Sequence, residues 1–138
     1  MAFKTQNFVE EKFFNLDEFR LFVLQSFKKP ILIFFYIPDN EICAGQKIVI
    51  ERFAEAAKDM ITVVKIDVLK NSELRQAFLL DNVPAIAVFK NGERVSGFVG
   101  ALKKSAFIDN ISEILGLGKF EKKSFNRLVP CTIENFKP

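Results

Sequence analysis

"VPAIAVFKNGERVSGFVGAL", residues 83–102, spells out one β-hairpin. Ala85–Lys90 is a short apolar run of strand-forming residues, and Asn91-Gly92 follows it directly. A type I′ turn needs positive φ at both central residues, which Asn and Gly tolerate, so this dipeptide predicts an antiparallel return through "RVSGFVG". Pro84 has no N–H to give to a ladder, which suits it to the start of a strand and not its middle.

Outward from the hairpin the pattern changes. "ILIFFYI" (31–37) and "ITVVKIDV" (61–68) are nearly continuous apolar runs, as buried parallel strands are. Between them Pro38-Asp39-Asn40 reads as a turn, and Glu41 to Lys58 as a helix with Ile42, Val49, Phe53 and Ala56 on one face. Ser72 to Leu80 predicts a short helix with Leu74 and Phe78 inward. Near the N-terminus Asn15 and Glu18 have capping-box spacing, with Leu16, Phe19, Val23 and Phe27 following at helical intervals up to Lys28-Lys29-Pro30. A weak strand pattern covers Val9–Phe14. Lys103 to Leu115 forms the last helix, closed by Gly116. Helices alternate with strands before the hairpin. The fold class is therefore α/β, a mixed parallel and antiparallel sheet sandwiched by helices.

The chain has 138 residues and is 49% hydrophobic with 17 phenylalanines, which suits one packed domain. We expect that domain over 1–115 and a basic, aromatic-containing extension over 116–138. Lys119, Lys122, Lys123, Arg127 and Lys137 against Glu121 and Glu134 account for the whole net charge of +3. A solvated basic extension explains this more simply than a nucleic-acid arm, although Phe120 and Phe125 are interleaved with the charges. There are no histidines, which excludes His-dependent catalysis and His-ligated zinc. Two cysteines match no metal-site spacing, and no metal or cofactor is expected. The start carries no apolar leader pattern and no run is long enough to span a bilayer, so a soluble, cytoplasmic protein is expected.

Taken together, these residues resemble the thioredoxin family. The resemblance runs without a gap from Phe35 to Leu102, about half the chain. It rests on the strand leading to Asn40–Cys43, "TVVKI" with Lys65, Val83-Pro84, "FKNGE" (89–93) and "VGAL" (99–102). It implies the thioredoxin fold, a cis Pro84 and a family site at the start of the second helix. In the family that site is Cys-Gly-Pro-Cys; here the slot reads Asn40-Glu41-Ile42-Cys43. Asn40 cannot attack a disulfide, but it is a favoured helix N-cap. The family's buried aspartate corresponds to Phe34 and its two tryptophans to Tyr36 and Asp39. Lys65 matches the family's buried lysine without that carboxylate partner, and its stem is expected to snorkel to water.

Cys43 has two readings. One is a buried helical cysteine with its pKa raised by desolvation; the other is a monothiol that forms mixed disulfides with a client, glutathione or Cys131. A shifted register, with "CAGQK" (43–47) as the site, would make Cys43 an exposed first thiol, at the cost of an insertion and a deletion. The resemblance also implies an apolar groove of Ile42, Val83, Pro84, Val99, Gly100 and Ala101 that holds an extended peptide. The expected function is a non-catalytic, co-chaperone-like protein or peptide-binding module; the alternative is a monothiol oxidoreductase using Cys43. Non-catalytic members of the disulfide-isomerase family offer a parallel, since they lack the first cysteine.

Overall fold

The computed structural model describes residues 8–116, apart from 14 and 58. The chain runs β1 (Val9–Glu10), α1 (Leu16–Val23) with a 3-10 turn (Leu24–Phe27), β2 (Ile31–Tyr36), α2 (Glu41–Ala56) and β3 (Thr62–Asp67). A second 3-10 turn (Val68–Lys70), α3 (Ser72–Ala77), β4 (Ala85–Lys90), β5 (Glu93–Val99) and α4 (Lys104–Leu115) complete it. The five strands lie in the order β1-β3-β2-β4-β5. β3 is parallel to β1 and β2, whereas β4 is antiparallel to β2 and β5. This is the thioredoxin fold.

The sheet is covered on both faces, which is why its central strands are apolar throughout rather than alternating. One core joins Leu32, Phe34, Val63 and Val88 to Val49, Ile50 and Phe53 of α2 and Phe107, Ile108 and Ile111 of α4. Phe53 and Phe107 meet edge to face at 5.3 Å, so the two helices interlock over the sheet. The opposite core joins Ile31, Ile33, Phe35, Ile66, Ala87 and Phe89 to Phe19 and Val23 of α1 and Leu74 of α3.

Local chemistry sets the element ends. Asn15 Oδ1 accepts the Glu18 N–H at 2.9 Å, starting α1 where the capping pattern predicts. Gly116, at φ 73°, closes α4 in the left-handed conformation. Asn91 (φ 56°) and Gly92 (φ 81°) supply the two positive φ values of the hairpin turn. Ser26 fastens this turn to the end of α1: its Oγ accepts the Gly92 N–H at 2.7 Å and its carbonyl accepts the Asn91 N–H at 3.1 Å.

Three expectations need correction, and one lies outside the described residues. The strand expected over Val9–Phe14 is only Val9–Glu10, with a last backbone bond from the Glu11 N–H to the Lys65 carbonyl at 2.9 Å. Phe13 instead donates its N–H to buried Asn71 Oδ1 at 2.8 Å. The first helix is regular only to Val23 and tightens into the 3-10 turn, which rotates Phe27 outward to 64% exposure. The helix from Ser72 stops at Ala77, short of Leu80, so Phe78 leaves its inward face. Phe78 is 40% exposed, although its ring still touches Phe19 and Phe35. The extension 116–138, including Cys131, lies outside the described residues beyond Gly116.

Candidate functional site

The C-terminal ends of the central strands, the N-terminus of α2 and the loops on either side of the β4–β5 pair bring the expected site residues to one end of the sheet. β2 ends at Tyr36, and Ile37-Pro38-Asp39 turns the chain, with Asp39 at φ 58°. Asn40, in extended conformation, then begins α2. Its Oδ1 accepts the Cys43 N–H at 2.9 Å, and its carbonyl accepts the Ala44 N–H at 2.9 Å. Asn40 is thus the N-cap of α2, satisfying one of the donors a helix start leaves orphaned. Glu41 follows in the first turn, where its negative charge complements the helix dipole.

Cys43 faces inward. It is 2% exposed and packs within the core shared with Phe34, Val49 and Ile50. Burial pushes its thiol above the ordinary cysteine range, while a backbone hydrogen bond at Ile37 works the other way. It is the only free cysteine among the described residues, and its setting disfavours the thiolate that attacks disulfides. The shifted register asked for an exposed thiol at this position, and this one is enclosed.

Around it the polar machinery is rearranged. Phe34 is fully buried and stacks on Tyr36 at 5.6 Å, so aromatic packing fills its position with no proton acceptor. Tyr36 in turn donates its hydroxyl to Glu10 Oε1 at 2.7 Å. Burial, helped by Glu10, holds that phenol above its usual range. Lys65 is half-buried, its ammonium 5.1 Å from the centre of the Phe8 ring. Desolvation and the neighbouring Lys47 lower its pKa, and Glu10 and Glu51 oppose that shift. So Lys65 has carboxylates nearby, from β1 and from α2, where the sequence offered no partner. Glu10, Tyr36, Asn40, Cys43, Lys47 and Lys65 share a cleft of about 660 Å³. Among the described residues no group of three or more His, Cys, Asp or Glu is arranged to hold a metal.

On the other side lies the loop pair around Pro84. The Val83–Pro84 peptide is cis and Pro84 is buried. The Pro84 carbonyl accepts the Gly100 N–H at 2.8 Å, and Gly100 has φ 94°. This bond ties the two loops together. Ile42, Val83, Gly100 and Ala101 are half-buried, and Val99 is 73% exposed. Gln46 is a residue the sequence reading missed. Fully buried, it accepts the Leu102 N–H at 2.6 Å through Oε1 and so fastens the loop beyond Gly100 to α2. Its Nε2 has no hydrogen-bond partner among the described residues. The signal was a polar residue one turn before Val49 and Ile50 on an otherwise apolar helix face.

Comparison with known proteins agrees with this architecture. The Thioredoxin family model matches residues 10–113, and the chain belongs to the thioredoxin family. It is 29% identical over 110 residues to "Thioredoxin Y, chloroplastic" of Oryza sativa subsp. japonica, covering 80% of this chain and 63% of that protein. It is 31% identical over 87 residues to the thioredoxin of Alicyclobacillus acidocaldarius, covering 63% of this chain and 83% of that one. The chain thus spans less than two thirds of the length of the rice relative. Among solved structures, a Malassezia sympodialis thioredoxin superimposes with a TM-score of 0.65 at 24% identity, covering 78% of this chain and 93% of that chain. Mitochondrial thioredoxin 3 of Saccharomyces cerevisiae gives 0.64 at 24% identity, covering 74% and 92%. These two likenesses are of fold. No helix among the described residues is long and apolar enough to cross a membrane.

Proposed function

We propose that this chain is a non-catalytic thioredoxin-like module that binds an extended protein segment at the groove formed by Ile42, Val83, Pro84, Val99, Gly100 and Ala101. The observation that carries the proposal is the start of α2. Asn40 spends its side chain capping the helix, and the cysteine it caps is 2% exposed. Thiol–disulfide exchange needs an accessible thiolate, and neither residue offers one. A cis Pro84 beside the exposed Val99 supports the binding reading, since an extended segment needs backbone groups and apolar side chains to lie against.

Two assays test this together. With insulin and dithiothreitol the chain should not accelerate disulfide reduction. With a reduced, carboxymethylated and therefore permanently unfolded protein as probe it should bind, and Val99→Glu should weaken that binding about tenfold, a loss of roughly 1.4 kcal/mol. Val99 is exposed, so the substitution tests the groove without unfolding the domain. Rapid glutathionylation of Cys43 in the native chain would overturn the proposal in favour of a monothiol oxidoreductase. Binding that Val99→Glu leaves unchanged would remove the groove from it.

A further inference from the structure

The face of the sheet opposite α2 and α4 carries a second apolar feature, which meets the Pro84 groove at Val99. A cavity of about 830 Å³ lies among Leu16, Phe19, Leu24, Phe78, Phe89 and Gly92. A smaller one of about 150 Å³ lies among Phe35, Phe78, Leu80, Phe89, Gly97 and Val99. Phe78 and Phe89 line both, so the two form one trough. It runs from the hairpin turn along β4 and β5. Leu21 (68% exposed) and Leu24 (52% exposed) flank it, and Phe27 (64% exposed) lies against Gly92 at its hairpin end. A contiguous run of large apolar side chains in water marks a surface meant to be covered.

What covers it follows from where the chain leaves the domain. The last turn of α4 sits against the hairpin: Lys90 Nζ donates to the Ile114 carbonyl at 3.4 Å. The helix closes at Gly116, two residues after the carbonyl that Lys90 reaches, and Gly92 of the hairpin turn lines the trough. Passing from the α4 layer across the sheet to the opposite face means a path of about 20 Å, since packed layers lie about 10 Å apart. Eight residues, the length of 117–124, can span that distance at about 3.3 Å per residue. The chain beyond them, 125–138, is then long enough to reach the trough, and it includes Phe125, Leu128, Val129 and Phe136. A plain solvated linker would have no use for these side chains.

We propose that residues 117–138 of the same chain dock in the trough, with Phe125, Leu128 and Val129 against Phe78 and Phe89. Leu24 and Gly92 line only the end of the trough away from Val99, so signal loss there is read separately from the Pro84 groove. The native thiol of Cys131 allows a direct test in the full chain. A nitroxide spin label on Cys131, in a Cys43→Ala background, should abolish the amide NMR signals of Leu24, Phe78 and Gly92 while sparing those of Lys47 and Asp109 on the other face. Leu24→Glu, at an exposed position, should restore them. Should Cys43→Ala fail to fold, the native chain serves instead, because Cys43 is enclosed and Cys131 alone takes the label. Signal loss spread evenly, or centred on α2 and α4, overturns the proposal. It is also overturned if the loss appears only when spin-labelled protein is mixed with a label-free, isotope-enriched copy, which would assign the trough to a second molecule.

Discussion

Asn40 and Cys43 sit one helical turn apart and depend on each other. The asparagine oxygen accepts the cysteine N–H at 2.9 Å, while the cysteine side chain points into the core. Removing a cap of this kind leaves an orphaned donor at the helix start, so Asn40→Ala should cost about 1 kcal/mol, read from urea midpoints. The thiol makes a separate, pH-dependent contribution. Its folded pKa lies above the unfolded value, so the unfolded chain loses the proton first. The stabilisation is complete below the ordinary thiol pKa near 9.0 and is lost as pH rises through the folded value. Tyr36 slopes the same way at higher pH, being raised by burial and Glu10. Urea midpoints measured from neutral to alkaline pH should therefore fall more steeply in the native chain than in Cys43→Ala. Equal slopes would mean that Cys43 titrates normally and is open to solvent.

At the scale of elements the hairpin is the most tightly specified piece. Gly92 needs positive φ, and a Cβ added there would lie 2.7 Å from Phe27 Cε2. Gly92→Ala should therefore destabilise by about 1–3 kcal/mol through two separable causes. In a Phe27→Ala background the steric part vanishes and the φ strain remains, so the cost of Gly92→Ala should be smaller there. A double-mutant cycle showing no coupling would mean that the ring already swings clear. The Asn-Gly dipeptide announced this turn in the sequence, because its chemistry is local. The same holds for the Asn15 and Asn40 caps and the Gly116 stop. The outward turn of Phe27 and the early end of α3 were not legible. Both depend on where a helix tightens or stops against a neighbour, which periodicity does not encode.

Across the whole molecule two cores share one sheet, and the α2–α4 core is the larger commitment. Phe53 is fully buried between the sheet and Phe107. Phe53→Ala should cost about 3–5 kcal/mol in a urea or thermal unfolding curve, since the cavity cannot collapse without moving both helices. A loss below about 1 kcal/mol would mean the two helices close over the gap.

By itself the sequence determined the class of fold, the succession of helices and strands along the chain, the helix caps, the hairpin turn and the absence of an Asn40 nucleophile. These are matters of residue type, spacing and local backbone preference. Only the tertiary structure decided that Cys43 is enclosed and that the charges of Glu10 and Glu51 act on Lys65. It alone fastened Gln46 to the loop after Gly100 and joined Phe78 and Phe89 in one trough. Each of these brings together residues from separate elements. Their separation is set by sheet order and layer packing, which no short stretch of the chain encodes.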